Sequence, residues 1–423
     1  MRIEILCTGD EILTGKTINS NYSHISRRLV EVGLDPYWGT TVGDDRDALL
    51  TAFRQAAARA DAVIVNGGLG PTVDDLSQEV AAQAAGVELV LHEAWLARME
   101  EFYRRRNRVM PPNNRKQAML PSNAEFIDNP VGTACGFAVT IGKARFFFTP
   151  GVPREMRRMI DEQVIPRLLQ LGGVQGVTRV KRFHSFGVGE SRADQTLDGI
   201  EALAPGGGVK LGFQAHYPEL ETKLAVRGAD AADIERKLAP VEAEVRRRLG
   251  NFIVAEDDQT LEAVVLSALR QRGGTLSLAE MFTSGTIATR LAPAEGAETL
   301  FRRAVVARDL AQLCAAVGHA AGMDVGGVSP ASAAAVAGAL RDKSGSSHAI
   351  AVLIQLDEGK DGIELGGTIC VGIADGGAAV SRQARMFGGR DWIRLGAAEL
   401  ALDCLRRHLL GLPVDEQIDF ERR

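Results

Sequence analysis

The stretch DAVIVNGGLGPTVDD, residues 61–75, restricts the folds open to this chain more than any other. Ala62, Val63, Ile64 and Val65 form a short, largely β-branched run that stops at glycines. Such a run reads as a buried strand of a parallel sheet. Gly67, Gly68 and Gly70 then let backbone amides come close to a ligand, because no Cβ stands in the way. Thr72 offers a capping hydroxyl, and Asp74 and Asp75 are read at the start of a helix. Strand, glycine turn and helix start together make a cradle for phosphate. Two carboxylates beside it would repel a bare phosphate, and a divalent cation between them removes the conflict. The same residues also fit a strand-to-helix turn with two acidic N-cap residues and no ligand. Spacing alone supports both readings.

A chain of 423 residues has room for two or three domains. Its net charge of −5 argues against a general nucleic-acid or membrane-surface binder. A small anionic partner stays open, since a site can be locally positive or use a metal. Cys7, Cys135, Cys314, Cys370 and Cys404 are far apart and lack CxxC spacing. They are expected to be reduced, buried thiols of a cytoplasmic protein. No apolar run reaches the length of a membrane span. The opening MRIEILCTGDEI carries acids where a signal peptide is basic and then apolar. The histidines lack paired-ligand spacing, which disfavours a dedicated zinc site.

Along the chain, residues 2–8 read as a first strand, with Gly9, Asp10 and Glu11 at its C-terminal end. Open α/β sheets place ligands there. Asn19 and Ser20 are candidate caps for a helix that Gly33 ends, and Asp44 and Asp45 open the next. Alternating strands and amphipathic helices predict a mostly parallel sheet with helices on both faces. Arg104, Arg105 and Arg106 lie on a charged helix and read as a solvated face. After it, Asn114, Arg115, Lys116 and Gln117 are candidate phosphate donors. Pro150, Gly151 and Pro153 form a rigid loop into a helix that buries Met156, Ile160, Val164 and Leu168.

A glycine-rich linker is read at 171–176. Beyond it lies a small α+β segment with a KH-type pattern but no basic, aromatic RNA face, so it is read as a spacer. A further α/β unit begins near Ala255 and ends with a helix reaching Leu410. The chain after Pro413 is expected to fray. The expected organisation is residues 1–171, 172–254 and 255–413, with a tail at 414–423.

The ordered set GDEIL, NGGLGPTVDD, NNRKQAMLP, NPVGTACGF and TPGVPREM resembles the competence/damage-inducible CinA family. The first 171 residues are similar to the MoaB/Mog molybdopterin-binding fold, and FGVGES matches the family's middle domain. The resemblance implies metal-dependent cleavage of a nucleotide pyrophosphate such as ADP-ribose to AMP and ribose 5-phosphate. It implies a divalent ion (Mg, Mn or Co), with a monovalent cation as a further candidate, and a homodimer. Asp10, Glu11, Asp75 and Glu155 are then the candidate catalytic carboxylates, and Asp74 and Asp75 the metal ligands. Thr8, Gly9, Asn21, Gly67, Gly68, Gly70, Thr72, Asn114, Lys116, Gly132 and Gly151 would contact substrate. Asp10, Glu11 or Glu155 would orient the attacking water. Asn114 and Lys116 would offset phosphoryl charge. A binding module holding a pterin phosphate or nucleotide without turnover would use the same loops. An interaction protein built around the Ala/Gly-rich C-terminal helices is a third reading.

From about Ala255 the chain resembles the family's nicotinamide-nucleotide amidase domain. The family's Ala-Glu-Ser-Cys-Thr-Gly-Gly signature is here Ala279, Glu280, Met281, Phe282, Thr283, Ser284, Gly285. Met281 stands in the place of the nucleophilic serine. VVARDLAQ lacks the tyrosine and lysine of the family's next stretch, and LIQLDEG replaces a glycine-rich loop. The amidase is therefore expected to be inactive, with Ser284 acting as a helix cap.

Overall fold

Every residue of Ile3–Thr8 and of Ala62–Asn66 is buried, as continuous apolar runs between two helical layers must be. A computed structural model of the chain describes residues 1–173, 176–318, 327–362 and 365–421. Val174 and Gln175 of the expected linker and Gly326 lie outside the described residues. The first sheet has six strands, in the order Pro36–Val42, Ile3–Thr8, Ala62–Asn66, Ala144–Thr149, Gly136–Ile141, Glu125–Ile127. The first four pair in parallel, Gly136–Ile141 runs antiparallel to them, and Glu125–Ile127 pairs antiparallel with Gly136–Ile141.

Alternate side chains of these strands enter different cores. Leu6, Val63, Val65, Phe146 and Phe148 face one layer with Phe53 and Trp95. Ile3, Ile5, Cys7, Ile64 and Phe147 face the other with Ile25, Met156 and Leu168. A period of two that feeds two helical layers places the ligand-bearing loops at the strands' C-terminal ends. The helix caps follow local chemistry. Asn19 accepts from the Tyr22 amide, and Asp45 from the Ala48 amide.

Two compact units result. One is Met1–Arg179 with Arg227–Ala231, and the other is Val180–Val226 with the described residues from Ala232 onward. In the second, strands Val209–His216, Glu219–Gly228, Val177–Phe186 and Ile253–Glu256 form a four-stranded sheet with helix Ala231–Leu249. A separate five-stranded sheet orders Phe301–Ala307, Leu276–Met281, His348–Leu356, Gly366–Ala374 and Val380–Phe387. One apolar cluster contains Phe186, Leu220 and Phe252 together with Leu278, Ile350 and Leu405, so packing is continuous through the Ala255 region. Helix Pro330–Ser344 lies so close to Gly372 that a Cβ there would sit 2.3 Å from the Ala333 backbone.

The stretch after Pro413 does not fray. Ile418 is buried, and the Asp419 carboxylate accepts the Gly189 amide at 2.8 Å. Arg407, fully buried, donates to Asp403 at 2.7 Å and to the Pro413 carbonyl at 3.1 Å, and it also pairs with Glu416. Burying these charges requires such partners, and the tail supplies one of them. All five cysteines are buried and unpaired. Among the described residues no helix is long and apolar enough to cross a membrane.

Candidate active site

The chain turns sharply after Asn66 because Gly67 and Gly68 take φ values of 111° and 67°. The Gly67 amide donates to the Thr149 carbonyl at 3.0 Å, and Ser77 returns its hydroxyl to the Gly67 carbonyl at 2.9 Å. A Cβ on Gly67 would lie 2.7 Å from the Thr8 carbonyl oxygen, and one on Gly68 would lie 2.3 Å from the Ser77 hydroxyl. Asn66 ties the neighbouring loop by donating to the Pro150 carbonyl at 2.7 Å. Asn21 bonds both Asn66, at 2.9 Å, and the Gly151 carbonyl, at 2.7 Å.

These turns enclose a cavity of about 490 Å³. Of the expected residues, Thr8, Gly9, Glu11, Gly67, Gly68, Gly70, Asp74, Asp75, Gly151 and Glu155 line it. Asp10, Asn21, Thr72, Asn114, Lys116 and Gly132 are not among the lining residues. Asp10 and Asp44 exchange backbone-to-carboxylate hydrogen bonds at 3.1 and 3.2 Å. Lys116 donates to the Thr72 carbonyl at 3.0 Å and faces Glu79 at 3.5 Å. Asn114 is buried and donates to Tyr103 at 3.0 Å and to Gln117 at 2.9 Å. It positions Gln117, which does line the cavity and holds the Leu69 carbonyl at 3.2 Å.

One local expectation needs correction. Asp74 and Asp75 are not N-caps, because helix Ser77–Ala85 begins later, with Leu76 at its N-cap position. Asp75 instead closes a turn, accepting the Thr72 amide at 2.8 Å and its hydroxyl as well. The acidic pair thus faces the cavity from a loop.

Glu155 enters from helix Pro153–Met159. Asn129, fully buried, donates to its carboxylate at 2.7 Å and to the Ala134 carbonyl at 2.8 Å. The Asn129 side-chain oxygen Oδ1 accepts the amides of Val131 and Gly132 at 3.2 and 3.0 Å. Burial pushes the Glu155 carboxyl above its ordinary range, and the Asn129 bond opposes the rise. Burial also raises Asp44, and the nearby Asp10, Glu11 and Asp74 charges add to that. Asn129 and Asp44 were not among the expected site residues. The sequence signals for Asn129 are its place in the NPVGTACGF motif and the Asn-Pro start of a glycine-containing turn.

Thr8 Oγ1 and Asn21 Oδ1 are buried without a hydrogen-bond partner among the described residues. An orphaned hydroxyl on the wall of a cavity is a natural ligand contact. No group of three His, Cys, Asp or Glu side chains among the described residues forms a ready-made metal cage. The donors that line the cavity are hard carboxylate oxygens. They fit a cation of the Mg type, held by one or two carboxylates and completed by water and substrate phosphate.

In the second unit, a cavity of about 600 Å³ is lined by Phe282, Ser284, Val306, Ala307, Arg308, Gln312, Leu356, Arg390, Asp391 and Arg394. Met281 is not among them. It is buried against Leu313, Val336 and Leu353. Ser284 is not the expected cap. Gly285 holds the N-cap position of Thr286–Leu291, and the Ser284 hydroxyl donates to the Phe282 carbonyl at 3.3 Å.

Comparison with known proteins finds three consecutive family matches. They are a probable molybdopterin binding domain over residues 4–170, the KH domain of damage-inducible protein CinA over 180–255, and a CinA C-terminal domain over 258–409. The middle segment, read as a spacer, is therefore similar to a family domain of its own. A CinA-like protein of Geotalea uraniireducens is 37% identical over 422 residues, 99% of this chain and 100% of the relative. One from Shewanella sediminis is 38% identical over 97% of this chain and 96% of the relative. Among solved structures, a CinA of unknown function from Thermoplasma acidophilum is 34% identical, with a TM-score of 0.37. It covers 39% of this chain and 98% of its own.

Proposed function

This chain belongs to the CinA family, and from that premise we propose that its first unit hydrolyses the pyrophosphate of a nucleotide such as ADP-ribose. The carrying observation is one cavity in which the Gly67–Gly68 turn meets the carboxylates of Glu11, Asp44, Asp74, Asp75 and Glu155. Close backbone approach suits phosphate oxygens, and clustered carboxylates suit a cation that accompanies them. Asp74 and Asp75 would hold the divalent ion, which when bound neutralises charge on the phosphates. The glycine turn and the Thr8 hydroxyl bind and orient the pyrophosphate. Glu155, held by Asn129, accepts a proton from water as the water oxygen bonds to one phosphorus. The bridging P–O bond then breaks, and the proton ends on the departing phosphate, giving AMP and ribose 5-phosphate.

The test is AMP release from ADP-ribose with added Mg, Mn or Co against a chelated control. Binding of ADP-ribose without AMP release would favour the second reading, a molybdopterin or nucleotide binding module. The match to a probable molybdopterin binding domain supports that alternative.

Two substitutions probe Glu155. A Cβ on Gly132 would lie 2.1 Å from the Glu155 carboxyl carbon. Gly132→Ala is expected to displace that carboxylate and lower turnover by about 10²-fold, with an unchanged thermal melt. Wild-type turnover would remove Glu155 from the reaction. The second test uses pH. A base works only when ionised, and burial favours its neutral form. The acidic limb of kcat/KM should therefore lie above the ordinary carboxylate range. Asn129→Ala removes a bond that stabilises the charged form, so the limb should move to still higher pH. A limb that stays in place would exclude Glu155 as the base.

A further inference from the structure

A second cavity in the first unit, of about 700 Å³, is lined by Arg98, Glu101, Phe102, Arg105, Arg106, Pro130, Val131 and Arg154. It gathers four guanidinium groups and one carboxylate on a chain whose net charge is −5. Three of the arginines have local partners. Arg98 pairs with Asp128 and lies 4.9 Å above Trp95. Arg105 pairs with Glu101 at 2.8 Å. Arg106 donates to the Phe102 carbonyl at 3.2 Å and stacks on the Phe102 ring at 3.5 Å. The carbonyl bond and the position after helix Glu93–Arg104 account for Arg105 and Arg106 as helix-end cations.

Arg154 has no such account. It sits in the first turn of helix Pro153–Met159, where the helix dipole disfavours a cation. Among the described residues it makes no hydrogen bond or ion pair. It is exposed, and its like-charged neighbours across an open cavity give it no protein counter-charge. We propose that this cavity is a binding site for a phosphate-bearing anion, separate from the glycine cavity. Guanidinium groups bind phosphate through paired donors, and the exposed edge of the Arg106–Phe102 stack offers a face for a flat ring.

The site also touches the proposed chemistry. Pro130 and Val131 line this cavity, while Thr133, Ala134 and Glu155 line the other. One loop, braced by Asn129, thus separates the two. An anion on Arg154 would bear directly on the turn that presents Glu155.

The test is calorimetric titration of the full chain with inorganic pyrophosphate in the absence of divalent metal. Arg154→Gln and Arg106→Gln are each expected to weaken binding about tenfold, as loss of a charged hydrogen bond does. Arg158→Gln, which removes an exposed arginine that pairs with Glu162 outside this lining, should leave it unchanged. The proposal fails if pyrophosphate does not bind, if the Arg154 and Arg106 variants bind like wild type, or if Arg158→Gln weakens binding as much as they do. These readouts need no turnover, so a failed hydrolase assay leaves them intact. A competition arm with ADP-ribose tells the source of the anion. Mutual exclusion identifies the substrate's own phosphate end, and simultaneous binding identifies a second, effector molecule. Either pattern upholds the site.

Discussion

Given nicotinamide mononucleotide, the purified chain is expected to release no ammonia at an enzymatic rate. Amide hydrolysis through a hydroxyl needs an activated oxygen, a base for its proton and donors for the oxyanion. Met281 offers a thioether, and it is buried among Leu313, Val336 and Leu353 and does not face the cavity. The hydroxyl that lines this cavity, on Ser284, donates to a backbone carbonyl. Among the described residues that line this cavity none is a histidine, lysine or tyrosine, and its one carboxylate, Asp391, is exposed and paired with Arg394 at 3.3 Å. Loss of a nucleophile alone costs on the order of 10⁶ in rate in a serine hydrolase. The unit should still fold, since Ala333, Val336, Ala337 and Leu340 keep one buried stripe against the sheet. Ammonia release above about 1 s⁻¹ that vanished in Ser284→Ala would overturn this and make the protein bifunctional.

Asp75→Asn should lower metal-dependent ADP-ribose hydrolysis by about 10²-fold or more while leaving the fold intact. The side chain has two roles that this change separates. It closes the Thr72 turn as an acceptor, which the asparagine oxygen can continue to do. It also presents negative charge to the cavity, which the amide cannot. The loop is exposed, so the melting temperature should stay near that of the wild type. Unchanged turnover at saturating metal would remove Asp75 from the site.

Much of the first sheet could be read from sequence because its signals are local. The buried run before Gly67, the Asn19 and Asp45 caps and the apolar stripe from Met156 to Leu168 each depend on neighbours a few residues away. The glycine cavity was readable for the same reason, since strand ends and glycines mark where backbones can approach. Two kinds of feature escaped. Strand Glu125–Ile127 has only three residues, too few to show a period, and Gly136–Ile141 follows directly on a glycine-containing turn that masks its start. The pairs that finish the site are long-range. Asn129 meets Glu155 across 26 positions, and Asp10 meets Asp44 across 34. No local propensity encodes either. The docked tail escaped likewise, because polar residues near an end read as solvated until Gly189 and Arg407 are seen to need them.

The turn that follows Met281 bears on what a serine at position 281 would do. Phe282 and Ser284 both hold positive φ, at 73° and 58°, a conformation that non-glycine residues adopt rarely. That turn leaves residue 281 on the core side and residues 282 and 284 on the cavity side. Met281→Ser would therefore not simply reverse the substitution. It would bury a hydroxyl in an apolar cluster, vacate a methionine's volume at a cost of about 2–5 kcal/mol, and leave the cavity without a nucleophile. Met281→Ser is therefore expected to lower the melting temperature without producing ammonia release from nicotinamide mononucleotide.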